Sequence, residues 1–223
     1  MGDGRWQVTG SAAEVYQRQL VPAIFAPWAP RVLDLAAPAA GARVLDVACG
    51  TGVVARLAAE RVGPGGRVVG LDLNPGMLQV AAGLAVRGAP TRWVQADAGH
   101  LPFGDRSFEV VCCQLGLQYV PDRAAALAEM ARVLAPGGRL AAMVWRSIEH
   151  SPGVRAAGRG AGPACRAGGG RDHAGAVRAG RRGDSARAGR GRRVPGVETV
   201  LSPWQDPAGL VFPIEALLIG ARR

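Results

Sequence analysis

The chain has 223 residues and is 48% hydrophobic, which suits one α/β domain with a modest extension, and it contains no apolar run of the length that crosses a bilayer. Four cysteines (Cys49, Cys112, Cys113 and Cys165), two of them adjacent, make no disulfide framework, and the first residues lack a basic-then-apolar leader pattern, so a reducing, cytoplasmic setting is expected. All 27 basic residues are arginine, and the net charge of +10 is concentrated in residues 151–195, where eleven arginines face only Asp172 and Asp184; the rest of the chain is close to neutral and is not marked as a binder of polyanions.

Taken in chain order, Ala12–Leu20 reads as a helix, followed by breaks at Pro22, Pro27 and Pro30. From Arg43 the pattern alternates. Arg43–Ala48 is an apolar strand ending in a glycine turn, Val53–Arg61 a helix closed by Gly63-Pro64-Gly65-Gly66, and Arg67–Leu71 a second strand. Pro75–Arg87 is predicted as a helix with Asn74 as its N-cap and Pro75 at its first position. Arg92–Gln95 and Phe108–Gln114 are the third and fourth strands. Asp122 caps a helix whose Leu127, Met130, Ala131 and Leu134 fall at i, i+3, i+4 and i+7, with Pro136-Gly137-Gly138 as its stop and Arg139–Trp145 as the fifth strand. Strands alternating with helices predict a doubly wound, mostly parallel sheet. Val197–Leu201 and Leu210–Ile219 look strand-like again.

The sharpest motif is Val44-Leu45-Asp46-Val47-Ala48-Cys49-Gly50-Thr51-Gly52. A strand runs into a turn whose glycines let the backbone approach a ligand closely, and the following helix offers free N–H groups to it. Asp72 ends the next strand, where a doubly wound fold places a carboxylate for ribose hydroxyls. Two other readings of the same residues stay open: a tight first turn with no ligand, and a nicotinamide-dinucleotide fingerprint, because Gly50-x-Gly52-x-x-Ala55 fits that spacing as well.

Leu45 to Gly52 resembles the first motif of class I S-adenosylmethionine-dependent methyltransferases, and Gly70-Leu71-Asp72-Leu73-Asn74-Pro75-Gly76-Met77-Leu78 resembles their second. Ala96-Asp97-Ala98 with Leu101-Pro102-Phe103, Glu109 to Gln114, and Arg132 to Leu140 are similar to the remaining motifs, in order, and the nearest branch is that of the quinone-biosynthesis C-methyltransferases. The resemblance implies a Rossmann-like methyltransferase fold with an antiparallel last strand, and S-adenosylmethionine as cofactor. It implies that Asp46, Ala48, Gly50 and Gly52 hold the methionine end, Asp72 the ribose hydroxyls, and Leu73 and Met77 the adenine faces. Asp97 and Ala98 would hold the adenine edge, and Gln114 would line the sulfonium end. Because the sulfonium already activates the methyl group, catalysis is mostly alignment and exclusion of water. Tyr16, Gln118 and Tyr119 are the candidates to meet a small-molecule acceptor; His100 reads as a solvated loop histidine. His100, His150 and His173 share no ligand spacing with the cysteines, so no metal is expected. Cys49 reads as a small packing residue and Cys112 and Cys113 as core.

Residues 151–195 are almost wholly Gly, Arg, Ala and Pro, with Val154, Val177 and Val194 nearly the only sizeable apolar side chains, and are expected to form no stable packing. With no Phe, Tyr or Trp to stack on bases, the segment is a poor nucleic-acid ligand. The competing reading is a frame error: codons for residues 173–184 can be chosen so that a one-base shift yields MRAPFALGDAE, text similar to the family's own at this place. The expected organisation is an N-terminal helical cover (1–42), a cofactor-binding core (43–150), the anomalous segment (151–195) and C-terminal strands of the same sheet (196–223). The expected function is methyl transfer to a small molecule. The alternatives are a cofactor-binding remnant without turnover and, further off, an Arg/Gly-mediated nucleic-acid binder. One face of the fifth strand, either Leu140, Ala142 and Val144 or Ala141, Met143 and Trp145, is expected to be under-covered.

Overall fold

The computed structural model describes residues 10–146, 205–206, 209–210 and 216–223; the anomalous segment and Val197–Leu201 lie outside the described residues. The chain divides into two compact units, residues 1–144 with 218–223, and residues 145–217. Within the second unit, β6 (Gln205–Asp206) and β7 (Gly209–Leu210) form a short antiparallel ladder.

The main sheet is built on β1 (Arg43–Val47), β2 (Arg67–Asp72), β3 (Thr91–Gln95), β4 (Phe108–Gln114), β5 (Leu134–Trp145) and β8 (Ala216–Arg222). They form one sheet in the order β3-β2-β1-β4-β5-β8. The first five strands are parallel. β8 runs antiparallel: its last residues meet the beginning of β5, where Gly137 N–H donates to the Arg223 carbonyl and Arg223 N–H to that of Gly138. The order reverses between β1 and β4, and a doubly wound sheet opens its ligand crevice at such a switch point, beyond the carboxyl ends of the strands.

The helices follow from local signals. α3 (Val53–Val62) begins at Gly52 and buries Val54, Ala55, Ala58, Ala59 and Val62. In α4 (Pro75–Gly83) the Asn74 side chain accepts from the N–H groups of Gly76 and Met77, and Pro75 opens the first turn, as predicted. α4 ends at Gly83 and not at Arg87: Leu84 is already extended, and Gly88, with φ of 87°, packs where a Cβ would meet the Ala59 carbonyl oxygen at 2.1 Å. In α5 (Arg123–Val133) Asp122 caps the Ala125 N–H. Its buried face is Ala126, Met130 and Val133, while Leu127 and Ala131 are exposed, a rotation from the predicted stripe. Pro136-Gly137-Gly138 does not stop the helix; the strand begins at Leu134 and the three residues form an irregularity between the pairings Phe108↔Leu134 and Val110↔Arg139.

At the N-terminus, α1 (Gly10–Val15) runs on as a wide π-type turn, Tyr16–Phe25, that absorbs Pro22 where a break was predicted. The Ala26 N–H reaches back five residues to the Val21 carbonyl, the spacing of a π-helix. α2 (Ala29–Ala36) buries Ala29, Val32, Leu33 and Ala36. On the other face of the sheet, Leu45, Val47, Leu71, Val111 and Cys113 form one cluster with Ala126, Met130 and Val133 of α5. In β5, Ala141, Ala142 and Met143 are buried and Leu140, Val144 and Trp145 half-buried, so the face with Leu140 and Val144 is the less enclosed of the two. Among the described residues no helix is long and apolar enough to cross a membrane.

Candidate functional site

Strand parallelism brings the ends of β1, β2, β3 and β4 to one edge of the sheet, and most of the candidate site residues stand on or just beyond those ends. Beyond β1 the backbone turns left-handed at Ala48 (φ 55°), Gly50 (φ 56°) and Gly52 (φ 81°). Ala48 is a non-glycine residue in that region, a conformation held only where surroundings enforce it. Leu115, just past β4, is another (φ 59°), and a Cβ at Gly116 would lie 2.4 Å from the Ala48 Cβ. The two turns flanking the switch point therefore interlock.

Asp72 ties the turn to β2. Its Oδ2 accepts the Gly50 N–H at 2.7 Å and its Oδ1 the Asn74 N–H at 2.9 Å, so the carboxylate is held in one orientation. Burial raises its pKa, opposed by backbone hydrogen bonds from Asn74, Gly50 and Leu73. Asp46 is fully enclosed, with Oδ2 accepting the Ala55 N–H at 2.9 Å while Oδ1 has no partner. Desolvation pushes its pKa up to about 8, against the Ala55 hydrogen bond and with a further push from Asp72. The Thr51 Oγ1 and Gln114 Oε1 are likewise buried without a partner. Buried polar atoms left unpaired are costly and uncommon, and four of the described residues carry one, three of them at this edge of the sheet.

The remaining candidates fall into two groups. Gln114 is buried, and its Nε2 donates to the Phe25 carbonyl at 2.8 Å, which moors the N-terminal turn to β4. Tyr16, on that turn, lies with its phenol oxygen 3.6 Å from where a Gly50 Cβ would be, and its ring packs on Phe25 with centroids 5.0 Å apart. Burial raises its pKa far above the ordinary tyrosine range, and Asp72, Tyr119 and Asp46 add to the shift, so it stays a neutral phenol. Farther out, Leu73 and Tyr119 are exposed at 55% and 53%, Met77 and Gln118 are half-buried, and Ala98 is buried. Asp97 is exposed and turns its Oδ1 back to the Gly99 N–H. His100 is exposed on the same loop. Among the described residues no cluster of His, Cys, Asp or Glu could hold a metal ion.

Reading the sequence did not single out Thr51, Phe25 or Trp93. Phe25 acts through its backbone carbonyl, which no side-chain motif reveals. Trp93 stands in register with Gly70 and Asp46, an alignment that only the strand pairing exposes.

Residues 45–142 match a family model described as a methyltransferase domain. Among curated proteins, a demethylmenaquinone methyltransferase from Thermus thermophilus is 46% identical over 114 residues, 51% of each chain. A ubiquinone/menaquinone biosynthesis C-methyltransferase from Hahella chejuensis is 45% identical, covering 51% of this chain and 47% of that one. Nocamycin O-methyltransferase from Saccharothrix syringae is 46% identical, covering 52% and 42%. The chain spans about half the length of these curated relatives. Among solved structures, a SAM-dependent methyltransferase from Aquifex aeolicus superposes with a TM-score of 0.53 at 21% identity, over 63% of this chain and 74% of that one, a likeness of fold.

Proposed function

We propose that this chain, whose residues 45–142 match a methyltransferase domain, is a class I S-adenosylmethionine-dependent methyltransferase that binds S-adenosylmethionine beyond the ends of β1–β4 and passes its methyl group to a small, quinone-type acceptor. The observation that carries the reading is the Asp72 carboxylate, fixed between Gly50 N–H and Asn74 N–H at the end of β2. A carboxylate so oriented suits a vicinal pair of hydroxyls, because it is an acceptor-only group whose two oxygens can take bidentate, charge-assisted hydrogen bonds.

The residues present fit the cofactor. The Asp46 Oδ1 and Gln114 Oε1 each lack a donor, and the cofactor's ammonium group supplies donors and a positive charge. The left-handed turn at Gly50 and Gly52 keeps side chains out of the path of its methionine end. Asp46, Ala48, Gly50 and Gly52 would hold that end, Asp72 the ribose, Leu73 and Met77 the faces of adenine, Asp97 and Ala98 its edge, and Gln114 the sulfonium end. When bound, the cofactor supplies a methyl group already activated by a positive sulfur. The protein's part is to align and to dry. Tyr16, neutral and packed over Gly50, excludes water from the turn and can donate a hydrogen bond; it does not serve as a base. Gln118 and Tyr119 stand where an acceptor would enter. In this reading residues 1–42 are the cover and 43–150 the cofactor core.

The test is label transfer. With S-adenosylmethionine labelled in the methyl group and a demethylmenaquinone analogue, the chain is expected to move label to the quinone ring. Cofactor binding with no label on this acceptor would remove the quinone-type assignment, and no binding at all would remove the whole reading.

A further inference from the structure

We infer that Trp93 is a positioning residue for the cofactor turn, acting through two glycines that it touches on different elements. The inference rests on the reading of that turn as the cofactor site. Trp93 stands on β3 in register with Gly70 of β2, which is in register with Asp46 of β1, so the three side-chain positions share one face of the sheet. The indole lies across that face. A Cβ on Gly70 would come within 2.3 Å of Cζ3 and 2.5 Å of Cε3, and a Cβ on Gly52 within 2.3 Å of Cη2 and 2.7 Å of Cζ3. One ring therefore fills the space above a strand residue and abuts the first residue of the α3 N-terminus.

The two glycines are small for different reasons. Gly52 has a left-handed backbone, with φ of 81°, and needs glycine on that ground alone. Gly70 does not belong to the left-handed positions, so the backbone leaves its side chain free to be larger. What excludes a larger one is the indole, and the same Cβ would lie 3.1 Å from the Cys49 Sγ. Gly70 is thus the socket of Trp93, and the contact at Gly52 is what the socket sets up. Gly52 donates to the Cys49 carbonyl and accepts from Arg56 N–H, so a shift of Gly52 would move the turn and the start of α3 together. The Trp93 indole braces the turn from below while Asp72 holds it at Gly50.

The experiment reads the affinity for S-adenosylhomocysteine in four proteins: the unmodified chain, Trp93→Leu, Gly70→Ala, and the two changes combined, with the thermal midpoint measured alongside. Trp93→Leu is expected to weaken binding about tenfold by removing the brace, and Gly70→Ala by a similar factor by pushing the indole off Gly52. Because both act through one contact, the double variant is expected to stay about tenfold weaker, without the hundredfold loss of independent effects. Trp93→Phe, which keeps a ring over Gly70, is the milder variant should Trp93→Leu not fold, and is expected to lose about threefold. Affinity unchanged in a folded Trp93→Leu or Trp93→Phe protein, or losses that multiply in the double variant, would overturn the inference. Failure of the unmodified chain to bind S-adenosylhomocysteine overturns instead the cofactor reading, and this inference with it.

Discussion

Two loops beyond the sheet edge are built on opposite principles. The turn at residues 48–52 is strained and underpaired: three left-handed residues, one of them alanine, beside buried oxygens of Asp46 and Thr51 with no partner. The loop at 101–107 is saturated. Arg132 of α5 donates through Nε to Glu129, through Nη1 to the Phe103 carbonyl and Asp105, and through Nη2 to the Leu101 carbonyl and Glu129. Glu129 in turn accepts the Leu101 N–H, and Arg132 holds its carboxyl down to about 2. A scaffold spends its polar groups on itself, whereas a site for a polar ligand keeps some in reserve. Substitutions should therefore move ligand affinity in the first loop and stability in the second.

The largest effect is expected at Gly50. Gly50→Val puts a β-branched side chain at φ of 56° and against Tyr16, and should cost more than about 3 kcal/mol of S-adenosylhomocysteine affinity while the circular dichroism of the fold persists. Wild-type affinity in the folded variant would dissolve the contrast between the loops. Next comes Asp72→Ala, which removes charge-assisted bonds to the ribose and the anchor of Gly50, and should weaken the same ligand by roughly 2–3 kcal/mol.

Asp46→Asn is expected to separate stability from affinity. Burial pushes the folded carboxyl up to about 8, well above its unfolded value, so between about pH 4 and 8 the folded state holds a proton that the unfolded state has lost. Stability therefore falls as pH rises through that window and levels off above it. The neutral amide retains an acceptor for Ala55 N–H and removes the slope, so near pH 7.5 the variant should be about 1–2 kcal/mol more stable yet bind the ligand less tightly. Thermal midpoints from pH 5 to 8 decide it: parallel curves for the two proteins would mean that Asp46 is not the group responsible. The smallest effect is set for Arg132→Ala, whose guanidinium is about one-third exposed; a loss of about 1 kcal/mol in denaturant unfolding is expected, with ligand affinity changed less than about threefold. A tenfold loss of affinity there would show that the saturated loop also shapes the site.

The cores of these elements were legible because their signals are local. Asn74 and Asp122 cap as their side chains and spacing predict, and β1, β2 and β4 follow apolar runs bounded by turn residues. What was illegible depends on the third dimension. Pro22 reads as a break because the tolerance of a π-type turn is not encoded at one position. Pro136-Gly137-Gly138 reads as a stop, but its backbone is taken up by β4 and Arg223. The stripe of α5 was misplaced because alanines, small enough to lie on either face, leave the helix period ambiguous. In the site, Asp46, Gly50 and Asp72 stood out in the motif and the structure joins Gly50 to Asp72, whereas the Gln114 link to Phe25, 89 residues away, and the reach of Trp93 are properties of packing.

The most direct test is a calorimetric titration of the unmodified chain with S-adenosylhomocysteine, repeated with Asp72→Ala. The account predicts saturable one-to-one binding by the first protein, with affinity lower by roughly 2–3 kcal/mol in the second. No heat of binding by a folded unmodified chain, or equal affinity in the two proteins, would contradict it.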